Sequence, residues 1–252
     1  MKPLRLLAAL ALCATAACAH AVSRLADLRI EDRDTGRELP VYRHEGRAYV
    51  VGRPGHEYRI VVRNRAGEDL LAVVSVDGVN VLSGETASAE QGGYVLAPWR
   101  RVEIAGWRKS LDEVAAFYFT SLGDSYAGRT GRPANAGVIG VALFRRAAPP
   151  PPAPPQDIAP EAKEEMGANR QAKRAQSAPS AAGAPLGTGH GRREDSPLRY
   201  VEFERATSRP AETIALYYDS YANLVAQGVI PQPGPWRREP DPFPAGFVPD
   251  PS

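Results

Sequence analysis

Val73-Val74-Ser75-Val76, then Asp77-Gly78, then Val79-Asn80-Val81-Leu82 is the stretch that decides the fold class. Two runs rich in β-branched residues flank an Asp-Gly pair. A two-residue type I′ hairpin needs positive φ at both central positions, which Asp and Gly tolerate. The chain is therefore expected to reverse at Asp77 and pair with itself. Upstream, Tyr58, Ile60 and Val62 alternate with Arg59, Val61 and Arg63, and Asn64-Arg65-Ala66-Gly67 makes a turn before the apolar run Leu70 to Val74. Further strand candidates are Leu28 to Ile30, Ala48 to Val51, Tyr94 to Leu96, Val102 to Ile104, Ala115 to Thr120 and Val138 to Phe144. Short strands at this spacing imply a sandwich or a barrel, and residues 22–147 read as a β-sandwich domain. About 125 residues suffice for one sizeable core.

Two stretches inside that segment depart from the pattern. Ser110-Leu111-Asp112-Glu113 fits a helix capping box, yet Phe117-Tyr118-Phe119-Thr120 after it has strand composition, so a single helical turn leading into a strand is expected. Residues 123–137 are rich in glycine and read as a long loop before the last strand.

Prolines divide the rest. Pro149, Pro150, Pro151, Pro152, Pro154 and Pro155 open an Ala-, Gln-, Lys- and Glu-rich stretch with few large apolar residues, so 148–186 is predicted to be a disordered Pro/Ala-rich linker. Residues 187–230 read as a small strand-helix unit. Arg199 to Arg205 is its strand, with Val201 and Phe203 on one face. A helix over 210–227 follows, capped by Thr207 or Ser208, with Ile214, Tyr217, Tyr218, Tyr221, Leu224 and Val225 at helical spacing and Gly228 ending it. So small a unit cannot build its own core, and its apolar face must dock on the β domain or on a partner. The tail, 231–252, contains eight prolines and is expected to be extended. The expected architecture is mainly β: a sandwich, a proline-rich linker and a strand-helix unit.

The first 21 residues have the marks of a cleavable secretory signal: Lys2 and Arg5, an apolar run from Leu6 to Ala17, and Ala19-His20-Ala21 at the cleavage site. A periplasmic or secreted protein is expected. A second reading takes Thr15-Ala16-Ala17-Cys18 as a lipoprotein box, with a lipid anchor on Cys18. Both cysteines, Cys13 and Cys18, lie in this segment, so the processed chain has no disulfide and no thiolate nucleophile. The segment also carries two of the 31 basic residues and no acidic one, leaving 29 against 29 acidic. That balance removes a simple pull toward nucleic acid, and no later stretch is apolar enough for a transmembrane span.

Ser75-Val76-Asp77-Gly78-Val79-Asn80-Val81, Gly137-Val138-Ile139-Gly140-Val141 and Tyr218-Asp219-Ser220 with Asn223-Leu224 resemble phrases of an uncharacterised family of exported bacterial proteins. The resemblance covers about residues 56 to 144 and 187 to 230. It implies no activity, but it does imply that the segments on either side of the linker belong together.

Candidate chemistry is sparse. Asp34-Thr35-Gly36 matches the tripeptide of aspartic proteases, but polar Glu31-Asp32-Arg33 precedes it and a surface turn accounts for it. Asp32, Asp34, Gly36 and Glu38 also have the alternating spacing of a calcium loop, which would make a calcium-stabilised adhesion module. A zinc site would require His44 and His56 to meet across strands. Gly187-Thr188-Gly189-His190-Gly191 with Arg192 and Arg193 is the most suggestive stretch: successive glycines let amides face an anion, and His190 offers an acid or base. A flexible hinge explains the same glycines. Trp99, Trp107, Tyr118, Tyr126, Tyr217, Tyr218 and Tyr221 are of the kind that lines a peptide or carbohydrate groove.

The candidate binding residues are Gly187, Gly189, His190, Arg192, Tyr217 and Tyr221. No catalytic set and no cofactor is expected. The leading expectation is an exported, non-enzymatic binding or assembly module of the cell envelope, meeting a protein partner or a second copy through the 210–227 helix. Its rival is an envelope hydrolase in which His190 works with Asp195, Glu202 or Asp219.

Overall fold

The computed structural model describes residues 21–148 and 184–231. The expected signal up to residue 20, most of the expected linker and all but the first residue of the tail lie outside the described residues. Two sheets pack face to face, and the fold is mainly β. The first sheet runs β1 (Ala21–Val22), β2 (Ala26–Asp32), β6 (Glu57–Asn64), β12 (Glu113–Ser121) and β11 (Gly106–Arg108). Four short strands extend it: β3 (Arg37–Glu38) beside β2, β10 (Arg101–Ile104) beside β6, and β14 (Leu186–Thr188) and β15 (Arg193–Asp195) beside β12. The second sheet runs β4 (Val41–His44), β5 (Arg47–Val51), β16 (Glu212–Asp219), β13 (Val138–Arg145), β7 (Leu70–Val76) and β8 (Val79–Asn80), with β9 (Tyr94–Leu96) beside β7.

The core lies between the sheets, and strict alternation fills it. Leu28 and Ile30 of β2, Tyr58, Ile60 and Val62 of β6, and Phe117 and Phe119 of β12 face Val74 and Val76 of β7, Ile139 and Val141 of β13, and Leu216 and Tyr218 of β16. Each strand expected in the 22–147 segment forms. So does the hairpin at Asp77, with φ of 53° at Asp77 and 72° at Gly78 joining β7 to β8. Ser110 does bond the backbone N–H groups of Asp112 and Glu113, but the turn joins β11 to β12 without becoming a helix. The 123–137 loop carries a short helix, α1 (Tyr126–Arg129), capped by Ser125.

The segment after the expected linker differs most from its reading. Residues 212–219 are a strand, β16, rather than the first two turns of a helix, and only α2 (Tyr221–Ala226) is helical, capped by Ser220. Adjacent Tyr217 and Tyr218 satisfy the helical spacing from Ile214 as well as a period of two. The β-branched and aromatic content of Thr213, Ile214, Tyr217 and Tyr218 and an open slot in the sheet select the strand. β16 fills that slot, antiparallel to β13 and parallel to β5. A helical face over 210–227 is therefore not what meets a partner. Residues 199–205 form no strand beyond a single bridge from Arg205 to Arg146; Phe203 packs on Leu71, Val73 and Phe144 while Val201 is exposed. The ending is as expected: Gly228 has φ of 74°, and Val229 packs back onto Leu224. No helix among the described residues is long and apolar enough to cross a membrane.

Candidate functional site: the outer face of the second sheet

The two outward faces differ in kind. On the first sheet, side chains form a ladder of ion pairs: Arg59 with Glu31 at 2.7 Å and Glu103 at 3.2 Å, Arg65 with Asp27 at 3.2 Å, and Arg29 with Glu38 at 3.4 Å. These charges satisfy one another at the water boundary. The outward face of the second sheet is largely apolar. One flank is covered where Phe203 and Ala89 pack on Leu71, Val73 and Phe144. The other is covered where Leu224, Val229 and Ile230 pack on Tyr42, Tyr49 and Val51.

Between the covers runs an open strip. Its floor is short because Ser75, Gly140 and Ala215 stand side by side on β7, β13 and β16. A Cβ at Gly140 would sit 2.8 Å from Ser75 Oγ, so the glycine lets that hydroxyl lie close to the sheet. Val138 and Tyr217 are paired in the neighbouring row, and the Tyr217 ring lies 5.5 Å from that of Tyr49. The Arg47 guanidinium stands over Tyr217 at 5.4 Å. A shallow concavity of about 270 Å³ opens beside them, lined by Arg43, Arg47, Thr213, Ala215 and Tyr217 among others. Flat amphipathic rings with a cation beside them suit extended peptide or sugar ligands.

The six expected binding residues do not converge. Gly187, Gly189, His190 and Arg192 line the β12 side of the first sheet, Tyr217 is on the second sheet, and Tyr221 is exposed at the start of α2. Amides of the glycine-rich stretch are bonded within the protein. Thr188 N–H donates to Asp77, Gly189 N–H to the Tyr118 carbonyl and Gly191 N–H to the Ala116 carbonyl. Its glycines serve close packing instead: a Cβ on Gly187 would lie 2.5 Å from Ser125 Cβ, and one on Gly189 would lie 2.1 Å from Tyr118 Cζ. His190 is half-buried, stacked on Tyr126 at 5.9 Å. Burial, and after it the charges of Lys109, Arg129 and Arg193, push its imidazole below the usual histidine range. Arg192 forms a two-pronged pair with Glu57. Neither of the two surface concavities described involves residues 187–191, and Asp219 is bonded to Asn223 and Gln227.

The 32–38 loop is a hairpin turn between β2 and β3. Asp32 accepts from the N–H groups of Asp34 and Thr35 and pairs with His56 Nδ1 at 2.8 Å, Asp34 accepts from Glu57 N–H, and Glu38 pairs with Arg29. Asp32 thus bonds within the turn, Asp34 reaches β6 and Glu38 reaches β2. Burial opposes the charge on Asp32, but the bonds from Thr35 and His56 outweigh it and hold its carboxyl below the usual range. Asp32, Asp34 and His56 do lie close enough to share an ion, whereas His44 is elsewhere, near Glu45.

Sequence reading missed a buried polar chain between the sheets. Tyr218 OH donates to Asp77 Oδ1 at 2.6 Å, Thr188 Oγ1 lies 2.7 Å from Tyr218 OH, and Tyr58 OH lies 2.6 Å from Thr188 Oγ1. Each hydroxyl has one proton, so with Asp77 ionised the donors run Tyr58 to Thr188 to Tyr218 to Asp77. Gly137 N–H also donates to Asp77 Oδ1. Burial raises the Asp77 carboxyl above its usual range despite these bonds. Asp77, Gly137 and Tyr218 thus meet here from three separate stretches of the sequence.

Comparison with protein-family models, curated proteins and solved structures finds no match for this chain.

Proposed function

We propose that the chain is an exported, non-enzymatic binding or assembly module of the cell envelope, and that the open strip of the second sheet is its binding face. The observation that carries this reading is the contrast between the faces. The first sheet pairs most of its outward charges, with Arg63 an exception, whereas the second leaves Ala215 exposed and Tyr217 and Val138 half-exposed between two covered flanks. An uncovered apolar strip rimmed by polar groups is the usual mark of a contact surface. Export rests on the signal-like residues 1–21.

A photo-crosslinking residue placed at Ala215, with a second at Arg63 on the charged face as the comparison, tests the assignment in cells. Crosslinks from position 215 and none from position 63 are expected. Equal crosslinking from both, or none from 215, overturns the assignment.

A further inference from the structure

Ile230 is buried against the cluster that covers Tyr42 and Tyr49, and the described chain ends one residue later at Pro231. The remainder therefore leaves the protein on the rim of the strip, one strand away from Tyr217. Its sequence suits what it meets there. Glu239-Pro240-Asp241-Pro242-Phe243-Pro244-Ala245-Gly246-Phe247-Val248-Pro249 carries four prolines, two phenylalanines and two acids, with no basic residue. The strip presents the Tyr217 ring with the Arg47 guanidinium over it, at the border of the cluster that covers Tyr49, and Arg47 also lines the concavity beside it.

We propose that residues 239–249 seat across the Tyr217–Ala215 strip of the same molecule, as a built-in proline-rich ligand. Proline-rich segments dock on aromatic grooves because proline has already fixed φ, so little conformational entropy remains to be lost. Glu239 and Asp241 face Arg47, and Phe243 covers the short floor at Ala215 and Gly140. The seven residues from 232 to 238 reach on the order of 20 Å when extended, while neighbouring strands are about 4.8 Å apart. Tethering supplies an effective concentration of about a millimolar, so a segment of modest intrinsic affinity remains seated. This rests on the strip being a binding face and makes the tail a competitor of any outside ligand.

The test uses the full chain with the photo-crosslinker at Ala215 and peptide mapping of the product, with isotopically mixed protein to separate contacts within a chain from those between chains. The expected product is monomer-sized, joins position 215 to residues 239–249, and falls about tenfold in yield when Phe243→Ala and Phe247→Ala are combined, as for loss of two aromatic anchors. A product joining 215 only to another molecule, or to the tail of a second copy, overturns the inference but leaves the binding face standing. No product at all overturns both. A tail crosslink insensitive to the two substitutions also overturns the inference.

Discussion

Tyr218 and Asp77, 141 residues apart in sequence, share a fully buried hydrogen bond of 2.6 Å that ties the strand after the expected linker to the Asp77-Gly78 hairpin. The bond ends a chain of three hydroxyls, so each removal leaves a buried partner unmet. Tyr218→Phe should cost about 1–3 kcal/mol, because the Thr188 hydroxyl loses its acceptor and Asp77 a donor. Asp77→Ala should cost about 3 kcal/mol or more, stranding the N–H groups of Gly137 and Thr188 as well as the Tyr218 hydroxyl. Urea unfolding of the three proteins checks the order; a Tyr218→Phe midpoint equal to the parent's would remove the chain's role.

Gly189→Ala tests whether the glycine-rich stretch is a packing device. The new Cβ would meet the Tyr118 ring at 2.1 Å, so a loss of about 1–3 kcal/mol is expected. Adding Tyr118→Ala should restore part of it. If thermal melts show the single variant unchanged, the close-packing account of these glycines is wrong.

The two buried aspartates pull stability in opposite directions with pH. Asp32 is held below its ordinary range, so its contribution is present above the unfolded carboxyl range and is lost as pH falls through the lower folded value. Asp77 is raised, so its contribution is present at low pH and is lost as pH rises through the higher folded value. Asp32→Asn should therefore remove stability at neutral pH and flatten the fall on acidification, while Asp77→Asn should not flatten it. Melting temperatures from pH 7 down to about 2.5 distinguish them.

Cutting the chain between its two described parts should not separate them. β16 lies between β5 and β13, and β14 and β15 lie on β12, so a protease site inserted near residue 166 should yield two pieces that co-elute until denaturant is added. A 22–148 piece made alone would lack a central strand and expose β5 and β13 edges, and it should aggregate. Independent folding of that piece would contradict this account.

Much of the β architecture was legible in local chemistry. Asp77-Gly78 needed only its own conformational freedom to specify the hairpin, and the alternation in 58–63 and the apolar run at 70–74 needed only their neighbours. The candidate site was mostly illegible, since of the six residues named from sequence only Tyr217 lies on the strip, beside Ala215 and Arg47, which carry no motif.

By itself the sequence determined the absence of cysteine after residue 18, the punctuation by proline and the sandwich class, because these depend on composition and short-range periodicity. Tertiary structure decided what residues 187–230 become. Residues 212–219 satisfy a helical spacing and a strand spacing alike, and the backbone bonds offered by β5 and β13 resolve the tie. It also decided that Asp77, Thr188, Tyr58 and Tyr218 meet, since partners up to 141 residues apart carry no local signal of one another.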